Sequence, residues 1–177
     1  MNAWRISVGS ILALAACQAL AGPPDDSQLA ALVGQYAKLH RVTEKPHQMQ
    51  DTTALLCDAP RVRPPQSPHE AAILPAYCHV YVNESAKEPI TKGEKDYPVG
   101  SLLVKSKLHL PDSKEPELFT VMLKREAGYN AEHGDWEYAV LEGHSFRVLA
   151  RGRIESCIDC HQAYQKTGYV TRTYLDK

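Results

Sequence analysis

The sequence predicts an α+β protein in which helices flank an antiparallel β-sheet. Three observations support this fold class: apolar residues at helical spacing near residue 30, several runs of β-forming residues between positions 78 and 149, and a short helical segment near the C-terminus. Internal repeats and low-complexity tracts are absent from the sequence. We therefore predict one domain over residues 22–177, long enough to enclose a hydrophobic core.

Three helices are predicted. The first follows a capping Asp26 or Ser27, and its apolar stripe runs from Leu29 to His40. The second covers residues 84–92 and ends before Gly93, because glycine commonly terminates helices. The third begins near residue 155 and continues to about residue 165.

Strands are predicted where β-forming residues alternate or cluster between turn signals. These segments are residues 78–82, 101–110, 118–124, 136–141 and 146–149. In the second segment the alternation places Lys105 and Lys107 on one side and Val104 on the other. Lysines in such positions are more often solvated ends of a half-exposed strand face than functional groups.

The third helix carries the run Cys157-Ile158-Asp159-Cys160-His161. C-x-x-C-H is the attachment signature of c-type haem, in which two thiols form thioether bonds and the histidine binds iron. A zinc knuckle would need a second ligand pair, and a thioredoxin-like redox pair would lie beside an early βαβ pattern; the sequence has neither. We therefore predict one covalently attached haem c, with His161 as the proximal ligand.

The N-terminus is predicted to be a secretory signal over residues 1–21. Its apolar stretch, residues 6–16, is too short to span a bilayer. Cleavage after the A-x-A sequence at 19–21 would release a soluble periplasmic protein. A lipobox-like sequence at 14–17 would instead leave Cys17 lipidated and the protein anchored to a membrane. Both alternatives predict export to the periplasm.

Two cysteines remain outside the signal and the haem motif, Cys57 and Cys78. In an oxidising compartment such a pair most often forms a disulfide, which stabilises a fold by ~3 kcal/mol. Two separate buried thiols are the alternative. Lys and Arg total 20 against 21 Asp and Glu, with no basic run, so nucleic acid is not an expected partner.

Four segments in order resemble the cytochrome P-460 family. They are residues 97–105, residues 120–125 followed by Gly128-Tyr129, residues 134–138, and the C-x-x-C-H motif, and the resemblance covers roughly residues 80–175. It implies a small, β-rich, periplasmic haem protein that is often a homodimer. Some members oxidise hydroxylamine with a haem cross-linked to a lysine, whereas the related cytochromes c′-beta bind nitric oxide without that cross-link.

The resemblance also assigns expected roles to residues. Lys105 is similar to the position of the cross-linking lysine, and Lys107 is the alternative two residues later. Hydroxylamine oxidoreductase activity is therefore one expectation and the binding of a diatomic gas is another. Electrons from an oxidation would pass to a periplasmic partner.

The sixth coordination site decides between these expectations and a simpler one. A thioether from Met122, or from Met49 in a polar segment, would make a six-coordinate electron carrier without turnover. Met122 is more simply interpreted as a core residue, so an open distal site for small nitrogen species is preferred. Glu117, Glu126 and Glu137 are the acids nearest the predicted strands; each is either a distal base or, more often, a surface charge.

Overall fold

A computed structural model describes residues 22–49 and 76–175. Within these ranges the chain forms a seven-stranded antiparallel sheet with three α-helices, so the predicted α+β class is confirmed. The predicted signal peptide, Cys17 and Cys57 lie outside the described residues. No helix in the described ranges combines the length and the apolar character that a bilayer crossing requires.

The sheet is a meander, and two short strands share one of its edges. The strands are β1 (His40–Arg41), β2 (His47–Gln48), β3 (Tyr77–Val82), β4 (Leu102–Leu108), β5 (Leu118–Lys124), β6 (Trp136–Glu142) and β7 (Val148–Gly152). From β3 to β7 each strand pairs antiparallel with the next one in the chain. The two short strands β1 and β2 both pair with β3, at opposite ends of its outer edge.

The helices are α1 (Asp26–Val33), α2 (Glu84–Lys92) and α3 (Glu155–His161). The bounds of α2 are those predicted, and α3 continues into a 3₁₀ segment (Gln162–Thr167). The prediction for α1 was too long. The helix ends at its C-cap Gly34, a 3₁₀ segment (Tyr36–Lys38) follows, and His40 belongs to β1.

The start of α1 also differs from the expectation. Its N-cap is Asp25, and not Asp26 or Ser27 as predicted. The Asp25 carboxylate accepts a hydrogen bond from the backbone N–H of Gln28, and the Gln28 side chain accepts one from the backbone N–H of Asp25. This reciprocal capping box satisfies two backbone donors that the helix itself cannot.

The two faces of the sheet carry separate hydrophobic clusters. On one face, Leu29 and Val33 of α1 pack against apolar residues of β4, β5 and β6, among them Leu102, Val104 and Phe119. On the other face α2 and α3 cover a second cluster, whose sheet residues are Val80, Val82, Leu103, Met122, Trp136 and Tyr138. Because both faces are covered, β4 is buried along nearly its whole length.

Strand β7 begins later than predicted. The sequence pattern placed a strand at 146–149, but Phe146 has a left-handed backbone, with φ of 57°, and stacks on Phe119 at 5.3 Å. A residue in that conformation cannot continue a β-ladder. The chain therefore completes its turn first, and pairing with β6 starts at Val148.

Candidate functional site

The C-x-x-C-H side chains all face one cavity. Helix α3 carries Cys157, Cys160 and His161, and these three residues line a cavity of about 360 Å³. Helical geometry accounts for the arrangement, since residues three and four apart lie on the same face. The helix starts where the backbone N–H groups of Cys157 and Ile158 donate to the carbonyl of Ile154.

The sheet forms another wall of the cavity. Leu103, Met122 and Tyr138 occupy neighbouring positions on β4, β5 and β6, because the register pairs Leu103 with Met122 and Met122 with Tyr138. Lys105 and Thr120 form the adjacent pair, and both also line the cavity. Further lining residues come from the sheet edge and the C-terminal segment: His47, Met49, Cys78, Val80, Tyr164, Thr171, Thr173 and Tyr174.

The imidazole of His161 is held in one orientation by the backbone. Its Nδ1 lies 2.7 Å from the carbonyl oxygen of Tyr169. A carbonyl oxygen can only accept, so Nδ1 carries the proton and Nε2 keeps its lone pair. A metal-binding histidine typically has this arrangement, in which the second ring nitrogen donates to a carbonyl.

The electrostatic environment keeps this imidazole neutral. Burial is the main cause that lowers the pKa of His161, to about 4, and the positive charge of Lys105 contributes to this lowering. The hydrogen bond to the Tyr169 carbonyl opposes this shift, because it stabilises the protonated ring. At neutral pH the group that lines the cavity is therefore an uncharged imidazole with an available lone pair.

A tight turn at Gly168 and Tyr169, called the return below, brings the Tyr169 carbonyl back to His161. Gly168 and Tyr169 both have left-handed backbones, with φ of 66° and 64°. A Cβ atom at position 168 would overlap the carbonyl oxygen of Lys95, so only glycine fits there. The Trp136 indole N–H donates to the Gly168 carbonyl at 2.8 Å and ties the return to β6.

The structure separates the two lysines that the sequence left as alternatives. Lys105 lines the cavity, whereas Lys107 is not among its described lining residues. Lys107 is only 6% exposed, and its Nζ lies 3.8 Å from a carboxylate oxygen of Glu117. The interpretation of both lysines as solvated strand ends was therefore wrong for Lys107, because both faces of β4 are covered.

The three acids considered as distal bases are absent from the described cavity wall. Glu117 is near Lys107, and Glu126 pairs with Arg125 at the surface. Glu137 is 6% exposed and not a surface charge: it accepts hydrogen bonds from Arg125 at 2.8 Å and Arg151 at 2.9 Å. This carboxylate holds β6, β7 and the end of β5 together.

The sequence did not place several of the wall residues at the site; Met49 was only one of two candidate methionine ligands, and His47 was expected to be exposed. His47 and Met49 reach the cavity from β2 and the residue after it, a two-residue strand that leaves no periodic pattern. Cys78 is buried in the same wall, opposite His47 in the β2–β3 register. Its predicted disulfide partner Cys57 lies outside the described residues, so that pairing stays a prediction.

The residues present fit a covalently attached haem. Two thiols and a neutral, oriented imidazole meet in a largely apolar cavity. The buried hydroxyl of Tyr138, in the same wall, has no hydrogen-bond partner among the described residues. Groups of three or more His, Cys, Asp and Glu that could hold a bare metal ion are not found in the described ranges.

Comparison with known proteins agrees with a haem site formed by two cysteines and a histidine. A search of curated proteins gives no match. The family model of Cytochrome P460 matches residues 57–172, which is most of the chain, and this family implies haem binding. The expected resemblance is confirmed, and the chain belongs to the cytochrome P460 family.

Proposed function

We propose that the chain is an exported cytochrome carrying one haem c, attached through Cys157 and Cys160, with His161 as the proximal ligand. The observation that carries this proposal is the meeting of both thiols and the oriented imidazole in one cavity. When bound, the haem supplies a redox-active iron that takes up small ligands and exchanges electrons.

The proposed role of His161 follows from its two ring nitrogens. Donation from Nδ1 to the Tyr169 carbonyl leaves Nε2 as the atom available to a metal. The lowered pKa means that protons do not compete for that lone pair at neutral pH. The chain therefore offers a preorganised neutral ligand next to the two attachment cysteines.

The proposed ligands of the distal site are small nitrogen species, namely hydroxylamine or nitric oxide. Apolar side chains such as Val80, Leu103 and Met122 make up much of the sheet wall. Such a wall admits small uncharged molecules, because ions would lose their hydration on entry. Both hydroxylamine oxidation and nitric oxide binding are consistent with this wall.

Lys105 is the proposed cross-linking residue if the protein is an oxidase. Its position in the cavity wall favours it over Lys107, which contributes to the pair with Glu117. Tryptic haem peptides of the wild type would then have an extra bond to the peptide containing Lys105. The bond should disappear in Lys105→Ala and persist in Lys107→Ala; a haem peptide without any lysine attachment would favour a nitric oxide binder.

Oxidation of a nitrogen ligand also requires a proton acceptor, and we propose His47. Its imidazole lines the cavity and is partly exposed, so a proton taken up there can pass to solvent. His47→Gln should slow hydroxylamine oxidation at least about tenfold, because a positioned general base contributes at least that much. His109→Gln, at an exposed position after β4, is the matched control and should keep the wild-type rate.

Export, and the partners it implies, are part of the proposal. The protein would act in the periplasm, as a soluble homodimer or as a lipoprotein anchored at Cys17, and would pass electrons to a periplasmic partner. Labelling with palmitate distinguishes the two forms, since only a chain processed before Cys17 takes up the label. Cell fractionation that finds the protein in the cytoplasm would contradict export.

The central experiment is purification from a host that attaches c-type haem. We expect a coloured protein whose mass includes one haem, with high-spin iron that binds nitric oxide. Replacing Cys157 and Cys160 with alanine should remove the covalent haem, and His161→Ala should change the ferrous spectrum. Colourless wild-type protein from that host would overturn the proposal.

A further inference from the structure

Tyr169 adopts a backbone conformation that is unfavourable for a residue with a side chain. Its φ of 64° lies in the left-handed region, and the preceding Gly168 is left-handed as well. Glycine takes this conformation without penalty, whereas an L-residue pays about 1 kcal/mol or more. Such strain persists only where the surrounding structure enforces it, and it is concentrated at functional sites. Contacts made by Tyr169 must therefore hold its backbone in place.

The side chain of Tyr169 is anchored on a turn just before β6. Its hydroxyl donates a hydrogen bond to the backbone carbonyl of Glu132 at 2.8 Å. Its ring lies against Gly134, where an added Cβ atom would be only 2.5 Å from Tyr169 Cδ2. His133 contacts the same ring edge-on, with 6.2 Å between the two ring centroids. Three consecutive residues, 132–134, therefore hold this side chain.

The turn that receives the side chain is itself fixed to the sheet. The Asp135 carboxylate accepts hydrogen bonds from the backbone N–H groups of Gly128 and Asn130, at 3.1 and 2.9 Å. The Asp135 backbone N–H donates to the carbonyl of Asn130. The Lys124 ammonium, at the end of β5, donates to the carbonyl of Gly134 at 2.8 Å. Tyr169 is thus anchored on a well-bonded part of the molecule.

The backbone of the same residue orients the proximal histidine. The Tyr169 carbonyl oxygen lies 2.7 Å from Nδ1 of His161. The direction of this carbonyl depends on the φ and ψ angles of Tyr169, so relaxation of the strained backbone would turn the acceptor away from the imidazole. Donation from one ring nitrogen fixes the ring and raises the basicity of the other nitrogen. Tyr169 therefore links the turn at 132–134 to the ligand atom of His161.

We propose that Tyr169 is a positioning residue: its side chain, anchored on residues 132–134, keeps the backbone left-handed and its carbonyl in place as the acceptor for His161. The inference rests on the proposed function, and it adds a residue that is not among the described residues of the cavity wall. A hydrogen-bonded imidazole is a stronger electron donor and favours the ferric form, which carries one positive charge more. Loss of the anchor should therefore favour the ferrous form.

The test is Tyr169→Gly in the haem-loaded protein. Glycine takes the left-handed conformation freely, so this variant removes the anchor without adding backbone strain. Resonance Raman spectra of the ferrous protein should show the iron–histidine stretching band at a lower frequency than in the wild type. Spectroelectrochemistry should show the redox equilibrium shifted about fivefold toward the ferrous form, which corresponds to the loss of one hydrogen bond of about 1 kcal/mol.

Tyr129→Gly is the matched control. Tyr129 is also a half-buried tyrosine near this turn, but its ring packs against the guanidinium group of Arg125, 4.4 Å from the ring centroid. Its removal deletes a packed ring without touching the Tyr169 side chain or the carbonyl that His161 contacts. The control should therefore keep the wild-type band and the wild-type redox equilibrium, even where its thermal midpoint falls.

A conservative variant tests the anchor without removing the packed ring. Tyr169→Phe loses only the hydrogen bond to the Glu132 carbonyl, so it should fold like the wild type and shift both signals in the same direction as Tyr169→Gly, by a smaller amount. Wild-type signals in either Tyr169 variant would overturn the inference, as would equal shifts in Tyr129→Gly. Wild-type protein without covalent haem, or without an iron–histidine band, would refute the proposed function and this role together.

Discussion

The imidazole Nδ1 of His161 and the backbone carbonyl oxygen of Tyr169 lie 2.7 Å apart. This contact connects the end of α3 to a chain return that is itself fixed by β6, through the Trp136 indole and the Gly168 carbonyl. Orientation of the ligand therefore depends on residues that do not touch the cavity. A backbone acceptor also cannot be removed by substitution of a side chain, so the return must be perturbed instead.

Replacing Gly168 with alanine should disturb that return. The new Cβ would overlap the Lys95 carbonyl oxygen and would be held at a left-handed φ, so we expect a loss of at least about 2 kcal/mol in the free energy of unfolding. The His161 ring should also turn, which a changed ferrous haem spectrum would reveal.

Gly128→Ala is the matched control for this variant. Gly128 has a φ of 94°, but a Cβ there would meet no atom within 4 Å. The control therefore carries the backbone penalty alone and should keep the wild-type spectrum. Identical spectra for both variants would mean that the return does not orient His161.

Removing the charge of Glu137 should destabilise the sheet. Its carboxylate accepts hydrogen bonds from Arg125 and Arg151, and Arg151 also pairs with Asp26 of α1. In Glu137→Gln two largely buried guanidinium groups lose their shared buried counter-charge and keep only the exposed carboxylates of Glu126 and Asp26. Breaking a buried ion pair typically costs about 3 kcal/mol. Urea unfolding measures the difference.

The control for Glu137 is an ion pair on the surface. Glu88 and Lys92 form an exposed i,i+4 pair on α2, and exposed pairs contribute little to stability. Glu88→Gln should therefore unfold at nearly the wild-type urea concentration. Equal midpoints for Glu137→Gln and Glu88→Gln would contradict a structural role for the buried carboxylate.

The parts of the fold that sequence predicted best are those with local signals at both ends. Helix α2 was predicted with its observed bounds, because Gly93 adopts the left-handed C-cap conformation. Strand β5 was predicted equally well from a dense run of β-formers. The alternation in β4 assigned Val104 and Lys105 to opposite faces, and the structure places them against α1 and in the cavity respectively.

The parts that sequence missed depend on tertiary register. His47 and Met49 reach the cavity only because β2 pairs with the far end of β3. Tyr138 lies in a strand buried on both faces, where alternation carries no information. The acceptor that orients His161 is a backbone carbonyl, which no side-chain motif can signal. Likewise, burial of Glu137 requires two arginines that only strand pairing brings together.

Stability should depend on pH through His79. Burial lowers the pKa of this imidazole below its ordinary value of 6.5, and the charge of Arg41 lowers it further. Just below pH 6.5 the unfolded chain therefore binds a proton that the folded chain does not, so stability falls as pH falls through that window. His79→Gln should flatten this part of the profile in urea unfolding between pH 5 and 7, within the range where histidine titrates.

Comparing the pH profiles of stability for wild type and His79→Gln isolates the contribution of His79, because the two proteins share all other titrating groups. The hydroxyl of Thr43 lies 2.9 Å from His79 Nδ1, and glutamine can replace that hydrogen bond without adding a titrating group. A profile of unchanged slope in His79→Gln would show that other groups account for the acid sensitivity.

Met122→Leu tests whether the distal site is open. Met122 is buried in the cluster that also contains Leu103 and Tyr138, and it lines the cavity. If it only packs, the substitution conserves volume, so it should cost less than about 1.5 kcal/mol and leave the haem spectrum unchanged. Met49→Leu, the other methionine in the wall, is the control. Conversion of a low-spin to a high-spin spectrum in Met122→Leu alone would identify Met122 as the sixth ligand and favour an electron carrier over a protein that binds small nitrogen species.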